Sequence, residues 1–410
     1  MSATTLSPYP LDSMPVPALP GGALGLPIEE ARRRGRWIVL ALTSVVCLAV
    51  FVVIAFYALV CWALVHPPVG KLQSNPMEAR GLAYKDVTFL SADGRSEVNG
   101  WWIPAPAPDG PAPEGTATLA AALPKTASDP AAASATVPVS DNVAAASTAS
   151  TAAMASQPAS DDSAAAASNL FSGRTVILSH GYGTNREESW VPMYDIAALL
   201  HGLDYNVLMF DYGYADSRNR APATGGVYES GQLLGALKFA REQGSREVVV
   251  WGFSMGAGTA LQAALRTDLI DGMILDSAFI PDADSIYSNI RRYASLPKRL
   301  SLELIRAIVP MFAGTRLEQI PSAEAQSTAF AFPVLVIHGS ADDKAPASIS
   351  ENVAAAQTNP LSELWSVPDA MHEMIFRTHP EEYVRRTTGF LQAIRENVEA
   401  RQDASSTITA

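Results

Sequence analysis

The chain has 410 residues and a formal net charge of −12, from 29 Lys and Arg against 41 Asp and Glu. That balance argues against a nucleic-acid partner, because a phosphate-binding surface needs clustered cations. The two cysteines, Cys47 and Cys61, both lie in one apolar run, which leaves the remainder without a disulfide, a thiol nucleophile or a cysteine metal site.

Residues 1–36 are dotted with Pro and Gly and read as a disordered N-terminus that ends in Arg32, Arg33, Arg34 and Arg36. From Trp37 to Val65 no residue carries a charge, and Val, Leu, Ile, Ala and Phe dominate. Roughly 20 such residues span a bilayer core, so 37–65 is expected to be a transmembrane helix with the lipid bilayer as its partner. A core helix would rarely run so long without a polar face. A signal peptide normally has a shorter apolar region, of about 7–15 residues. Ala58-Leu59-Val60-Cys61 has a large Val60 where a lipoprotein box needs a small residue. The arginine cluster before the helix, against a single Lys in His66–Gln73, predicts a cytoplasmic N-terminus, with everything after Val65 in the periplasm or outside the cell.

The segment 80–400 is expected to form the folded domain. Tyr84–Leu90 alternates as a half-buried strand, Ser91–Gly94 turns, and Val98–Ile103 returns as its hairpin partner. Residues 105–170 are almost entirely Ala, Ser, Thr and Pro. Such a composition cannot bury enough apolar surface to offset its ordering entropy, so a disordered insertion is expected there.

Short apolar runs follow at Arg174–His180, Tyr205–Asp211, Glu247–Gly252, Gly272–Asp276 and Pro333–His338. Helical patterns at Met193–Leu200, Glu229–Glu242 and Ala257–Arg266 separate most of them. Strands apolar on both faces and alternating with helices predict an α/β fold with a mostly parallel sheet covered on both sides. Chemistry is then expected at the carboxyl ends of the strands. Between Ile280 and Ala331, Leu300–Phe312 is apolar enough for a helical lid over an acyl pocket, or for an ordinary helix packed on the sheet. Residues 401–410 read as a disordered tail.

Gly252-Phe253-Ser254-Met255-Gly256 is a G-x-S-x-G between a strand and a helix, the setting of a nucleophile elbow. Ser254 is therefore the candidate nucleophile. Three histidines follow it: His338 ends a strand, His379 precedes Pro380 at the entry to a helix, and His372 sits in a loop after the run Leu361–Val367. His372 is the best placed general base. The acid that fixes its tautomer is expected after a strand, with Asp342 favoured and Asp343 and Asp276 as alternates. Backbone N–H groups must meet the oxyanion, one from Met255 and one from the loop His180-Gly181-Tyr182-Gly183.

These motifs, together with Ser179–Glu188 (SHGYGTNREE), Asp276–Phe279 (DSAF) and His338–Pro346 (HGSADDKAP), resemble bacterial members of the α/β-hydrolase superfamily, in its esterase-like and serine-aminopeptidase-like branch. The resemblance covers roughly Tyr84–Ile103 and Gly173–Val398. It implies the α/β-hydrolase fold with a short helical lid, Asp342 as the acid and Tyr182 as the second oxyanion donor. Asp211–Ser217 (DYGYADS) departs from the family pattern by lacking an Arg and further Gly, and the Ala-rich insertion is unusual. Cleavage of a small ester is the leading expectation, cleavage of a short peptide the next, and a non-catalytic binding scaffold the third. No metal cluster, phosphate loop or dinucleotide fingerprint appears, so no cofactor is expected.

Overall fold

The computed structural model describes residues 26–106, 173–218, 220–292 and 295–409. The first 25 residues and nearly all of the Ala-rich insertion, both expected to be disordered, lie outside the described residues.

Helix α1 spans Leu26–Val65 and so begins before the residues expected to be its first turn. The boundary between two compact units falls inside it, between Phe56 and Tyr57. In the first unit the large apolar side chains from Trp37 to Phe56 are exposed. The stretch Arg32–Val65 is long and apolar enough to cross a membrane, which makes it a candidate span.

The second unit starts with the last nine residues of that helix. A short helix α2 (Pro76–Arg80) follows, capped by the Asn75 side chain, and leads to strands β1 (Lys85–Leu90) and β2 (Glu97–Ile103). Then come β3 (Arg174–Ser179), α3 (Met193–Gly202), β4 (Asn206–Phe210), α4 (Glu229–Glu242), β5 (Glu247–Phe253), α5 (Met255–Ala264) and β6 (Gly272–Asp276). Helices α6 (Ala283–Arg291) and α7 (Lys298–Ala313) occupy the expected lid segment. Helix α8 (Ser322–Ser327), β7 (Val334–Gly339), α9 (Ala347–Ala356), β8 (Glu363–Val367), α10 (Ile375–Thr378) and α11 (Pro380–Thr409) complete the order.

The eight strands form one sheet in the order β1-β2-β4-β3-β5-β6-β7-β8. The β1–β2 and β2–β4 pairs are antiparallel and every other pair is parallel. Period-two alternation divides the side chains of strands β2 to β7 between two cores, while the edge strands β1 and β8 each bury one face. Val248, Val250, Met273, Leu275, Val334 and Val336 face the layer of α4, α5, α8 and α9. Val249, Trp251, Ile274, Leu335 and Ile337 face α3 and α11. Continuous apolar strands are thus the direct consequence of a parallel sheet with both faces covered.

Helix α11 runs on through 401–409, where a disordered tail was expected. An ion pair at Arg395–Glu399 lies along the helix, and one at Arg401–Asp271 ties it to the segment before β6. Capping explains other boundaries. A capping box of Asp282 and Ser285 starts α6, and Gly314 in the left-handed conformation ends α7.

Candidate active site

Ser254 sits between β5 and α5 with φ 49° and ψ −117°, a backbone conformation that few residues other than glycine adopt. Hydrogen bonds hold it there: its N–H donates to the Asp276 carbonyl at 2.9 Å, and its carbonyl accepts from Phe279 at 3.0 Å. The flanking glycines are required by close approach. A Cβ at Gly252 would lie 2.6 Å from the Ala257 Cα, and one at Gly256 would lie 2.1 Å from the Ser179 carbonyl oxygen.

The loop after β8 carries His372 to this serine. Its Nε2 lies 2.9 Å from Ser254 Oγ, and its Nδ1 lies 2.7 Å from Asp342 Oδ2. With the carboxylate on Nδ1, the imidazole carries its proton there and offers Nε2 as the acceptor for the serine hydroxyl. The Asp342 Oδ1 accepts from the N–H groups of Lys344 and Ala345, both at 2.9 Å. Burial works to raise the pKa of Asp342, but the His372 contact and these two N–H groups outweigh it and hold the carboxyl below its ordinary range.

The two alternates for the acid go elsewhere. Asp343 is largely exposed and pairs with Arg292. Asp276 accepts from Tyr383 Oη at 2.8 Å and from Ser277 Oγ at 2.9 Å, and burial pushes its pKa up to about 7. Of the other histidines, His338 lies under the acid loop, its Nδ1 3.3 Å from Ser350 Oγ, and His379 stands between α10 and α11 with its ring on Thr378.

Tyr182 and Met255 line the same cavity as Ser254 and His372. Met255 opens α5, so its N–H is one of the first four in the helix and has no acceptor within it. The loop that carries Tyr182 is held by buried groups. His180 Nε2 accepts the Tyr212 N–H at 3.0 Å, so its proton is on Nδ1 and is donated to the Gly181 carbonyl at 2.9 Å. Burial lowers the His180 pKa to about 4, which keeps the ring neutral. Farther along, the Arg186 guanidinium and N–H both donate to Asp211, at 2.8 and 2.7 Å. Asp211 begins the loop that departs from the family pattern, so the arginine partner comes from the facing loop.

Two buried acids beside the site were not legible in the sequence. Glu188 and Glu373 are both buried, and a Cβ placed on Gly181 would lie 2.8 Å from Oε1 of each. Glu188 Oε2 accepts from the Gly181 N–H at 3.3 Å, and Glu373 Oε2 accepts from Trp190 Nε1 at 2.6 Å. Burial raises both carboxyls, and the charge of Glu373 adds to the rise at Glu188. The only sequence sign was the adjacency of Glu373 to His372.

The cavity has a volume of about 400 Å³. Apolar side chains dominate its wall, including Phe279, Ile286, Val309 and Leu317, with the Ser254–His372 pair at one side. Such an arrangement can hold an apolar group while presenting an activated hydroxyl to a carbonyl carbon. No group of three or more metal-ligating side chains occurs among the described residues.

Comparison with known proteins agrees with this architecture. Residues 176–386, just over half of the chain, match the model of the alpha/beta hydrolase family. The uncharacterized protein Rv2307c of Mycobacterium tuberculosis is 29% identical over 190 residues, which cover 46% of this chain and 59% of that protein. The chain thus spans less than two thirds of that relative. The uncharacterized protein YfhR of Escherichia coli K12 is 25% identical over 222 residues, 53% of this chain and 69% of the relative. Among solved structures, the Pyrococcus furiosus esterase Pf2001 aligns with a TM-score of 0.53 at 20% identity, covering 80% of this chain and 98% of that one. At that identity the likeness is one of fold.

Proposed function

The chain belongs to the alpha/beta hydrolase family, and from that membership and the hydrogen-bonded line Ser254–His372–Asp342 we propose a membrane-anchored serine hydrolase that cleaves carboxylic esters through an acyl-enzyme. The carrying observation is the pair of contacts at 2.9 and 2.7 Å that ends at the edge of an apolar cavity.

In this reading Ser254 Oγ attacks the ester carbonyl while its proton passes to His372 Nε2. Asp342 holds the imidazole in the required tautomer and stabilises the imidazolium. The oxyanion is met by the N–H groups of Tyr182 and Met255, each donor contributing roughly 3–4 kcal/mol. Collapse of the tetrahedral adduct breaks the bond to the alkoxide, which takes the proton from His372. Water then gives a proton to His372 and attacks the acyl-enzyme, and as the second adduct releases the acid, Ser254 Oγ takes that proton back from His372. The exposed apolar part of α1, from Trp37 to Phe56, supplies the anchor, and the arginine cluster before it supports a cytoplasmic N-terminus with the catalytic domain on the far side.

A second reading, cleavage of short peptides, draws on Glu373, a carboxyl group on the cavity wall. An ammonium group would need a free carboxylate, yet Glu373 Oε2 is engaged by Trp190 and its Oε1 is buried. The ester reading is therefore preferred.

Labelling with a fluorophosphonate probe in membrane fractions tests the proposal. Wild type is expected to label, and Ser254→Ala and His372→Ala are expected to lose the signal. A folded wild type that does not label would overturn the enzyme reading and favour a binding scaffold.

A further inference from the structure

The last nine residues of α1 are part of the hydrolase unit rather than a plain tether. Tyr57, Cys61 and Val65 recur every fourth residue and so share one helical face. All three are at most 3% exposed, whereas Trp37 through Phe56 on the same helix are exposed. Their cluster includes Tyr287 of α6 and Ile305, Ile308 and Val309 of α7, the two helices of the lid segment. Tyr57 Oη and Ser301 Oγ add a buried hydrogen bond at 2.5 Å.

The end of the helix is also tied to the site. Tyr182 Oη, on the oxyanion loop, donates to the Leu64 carbonyl at 2.6 Å. The Ala223 N–H donates to the Val65 carbonyl at 2.8 Å. Leu64 and Val65 then line the cavity that holds Ser254 and His372, together with Ile286, Val309 and Leu317. A cavity of about 400 Å³ is within the roughly 300–1,000 Å³ of small-molecule sites. Its wall offers an acyl chain mainly apolar contact.

We propose that Leu64 and Val65, at the end of the apolar anchor helix, form the wall that selects the acyl group, and that the substrate class is an ester of a long unbranched acyl chain. The inference rests on the serine-esterase reading above and adds the identity of the acyl group and of the residues that choose it. Each methylene buried against this wall raises kcat/KM about fourfold, following the transfer free energy of a methylene group.

The test uses the full-length protein in detergent with p-nitrophenyl esters of four to twelve carbons. Wild type is expected to favour the longer chains. Val65→Trp, which fills the wall, is expected to lower the ratio of kcat/KM for ten carbons to that for four by at least about tenfold. Val65→Ala, which opens the wall, is expected to move the optimum to longer chains and avoids overpacking. A wild type that prefers four carbons, or ratios unmoved in both variants while hydrolysis continues, would overturn the inference and leave the esterase reading intact. A wild type that labels with fluorophosphonate but hydrolyses none of the esters would instead overturn the esterase reading.

Discussion

Replacing Asp211 by Ala removes the carboxylate that holds the loop between β3 and α3. Asp211 accepts from both the guanidinium and the backbone N–H of Arg186, and the two side chains are only 7–8% exposed. The alanine leaves Arg186 charged and buried, with the Trp101 ring, 4.8 Å from the guanidinium carbon, as its remaining partner. Removing one partner of a buried pair costs about 3–5 kcal/mol, largely because the other charge is stranded. That is a sizeable part of the roughly 5–15 kcal/mol that holds a domain folded. At about 2–4 °C per kcal/mol, the expected fall in Tm is roughly 6–20 °C. The assay is thermal unfolding of the detergent-solubilised protein, with fluorophosphonate labelling below the transition. The double variant Arg186→Met with Asp211→Leu is the informative partner: it removes the stranded charge and should recover that part of the loss, whereas the backbone N–H at 186 still lacks its acceptor. A single-variant loss below about 1 kcal/mol, as at an exposed pair, would refute the argument that this ion pair is buried and structural.

Asp342→Asn keeps the shape beside His372 but presents an amide in place of the carboxylate on Nδ1. The expected result is a fall in kcat of about three to four orders of magnitude with little change in KM, and a fall within tenfold would assign the acid role elsewhere. Stability is expected to respond to pH through Asp276, raised by burial from 3.8 to about 7. Its contribution is fully present below the unfolded value and is lost as pH rises through the folded one, because between them the unfolded chain binds fewer protons. His180 acts in the opposite sense, its stability present above about 6.5 and lost as pH falls through about 4. Comparing wild type with Asp276→Asn cancels that background. The variant is expected to lose about 3 kcal/mol less between pH 5 and pH 8 in urea unfolding, and identical profiles would show that Asp276 is already ionised at pH 5.

The features legible in the sequence are those set by local rules. Strand and helix patterns are carried by neighbouring residues, so Glu229–Glu242 and Gly272–Asp276 appear in the structure with the bounds expected of them. The elbow was legible because a tight strand-to-helix turn needs glycine where backbone passes within 3 Å, as at Gly252 and Gly256. Length and apolarity likewise mark Trp37–Val65 without reference to anything else in the chain.

Tertiary structure alone decided what depends on distant partners. Asp342 and Asp343 are adjacent and chemically identical, and only the fold turns one toward His372 and the other toward Arg292. Glu188 and Glu373 look like solvated acids in the sequence, yet chain 185 residues apart brings them together beside Gly181, where burial raises the pKa of both carboxyls. The apolar run read as one uniform span is divided at Tyr57, where lid residues more than 200 positions away cover one face of the helix. Composition fixes what a segment can bury, whereas the neighbour that buries it, and hence the charge state and chemistry of the site, is set by topology.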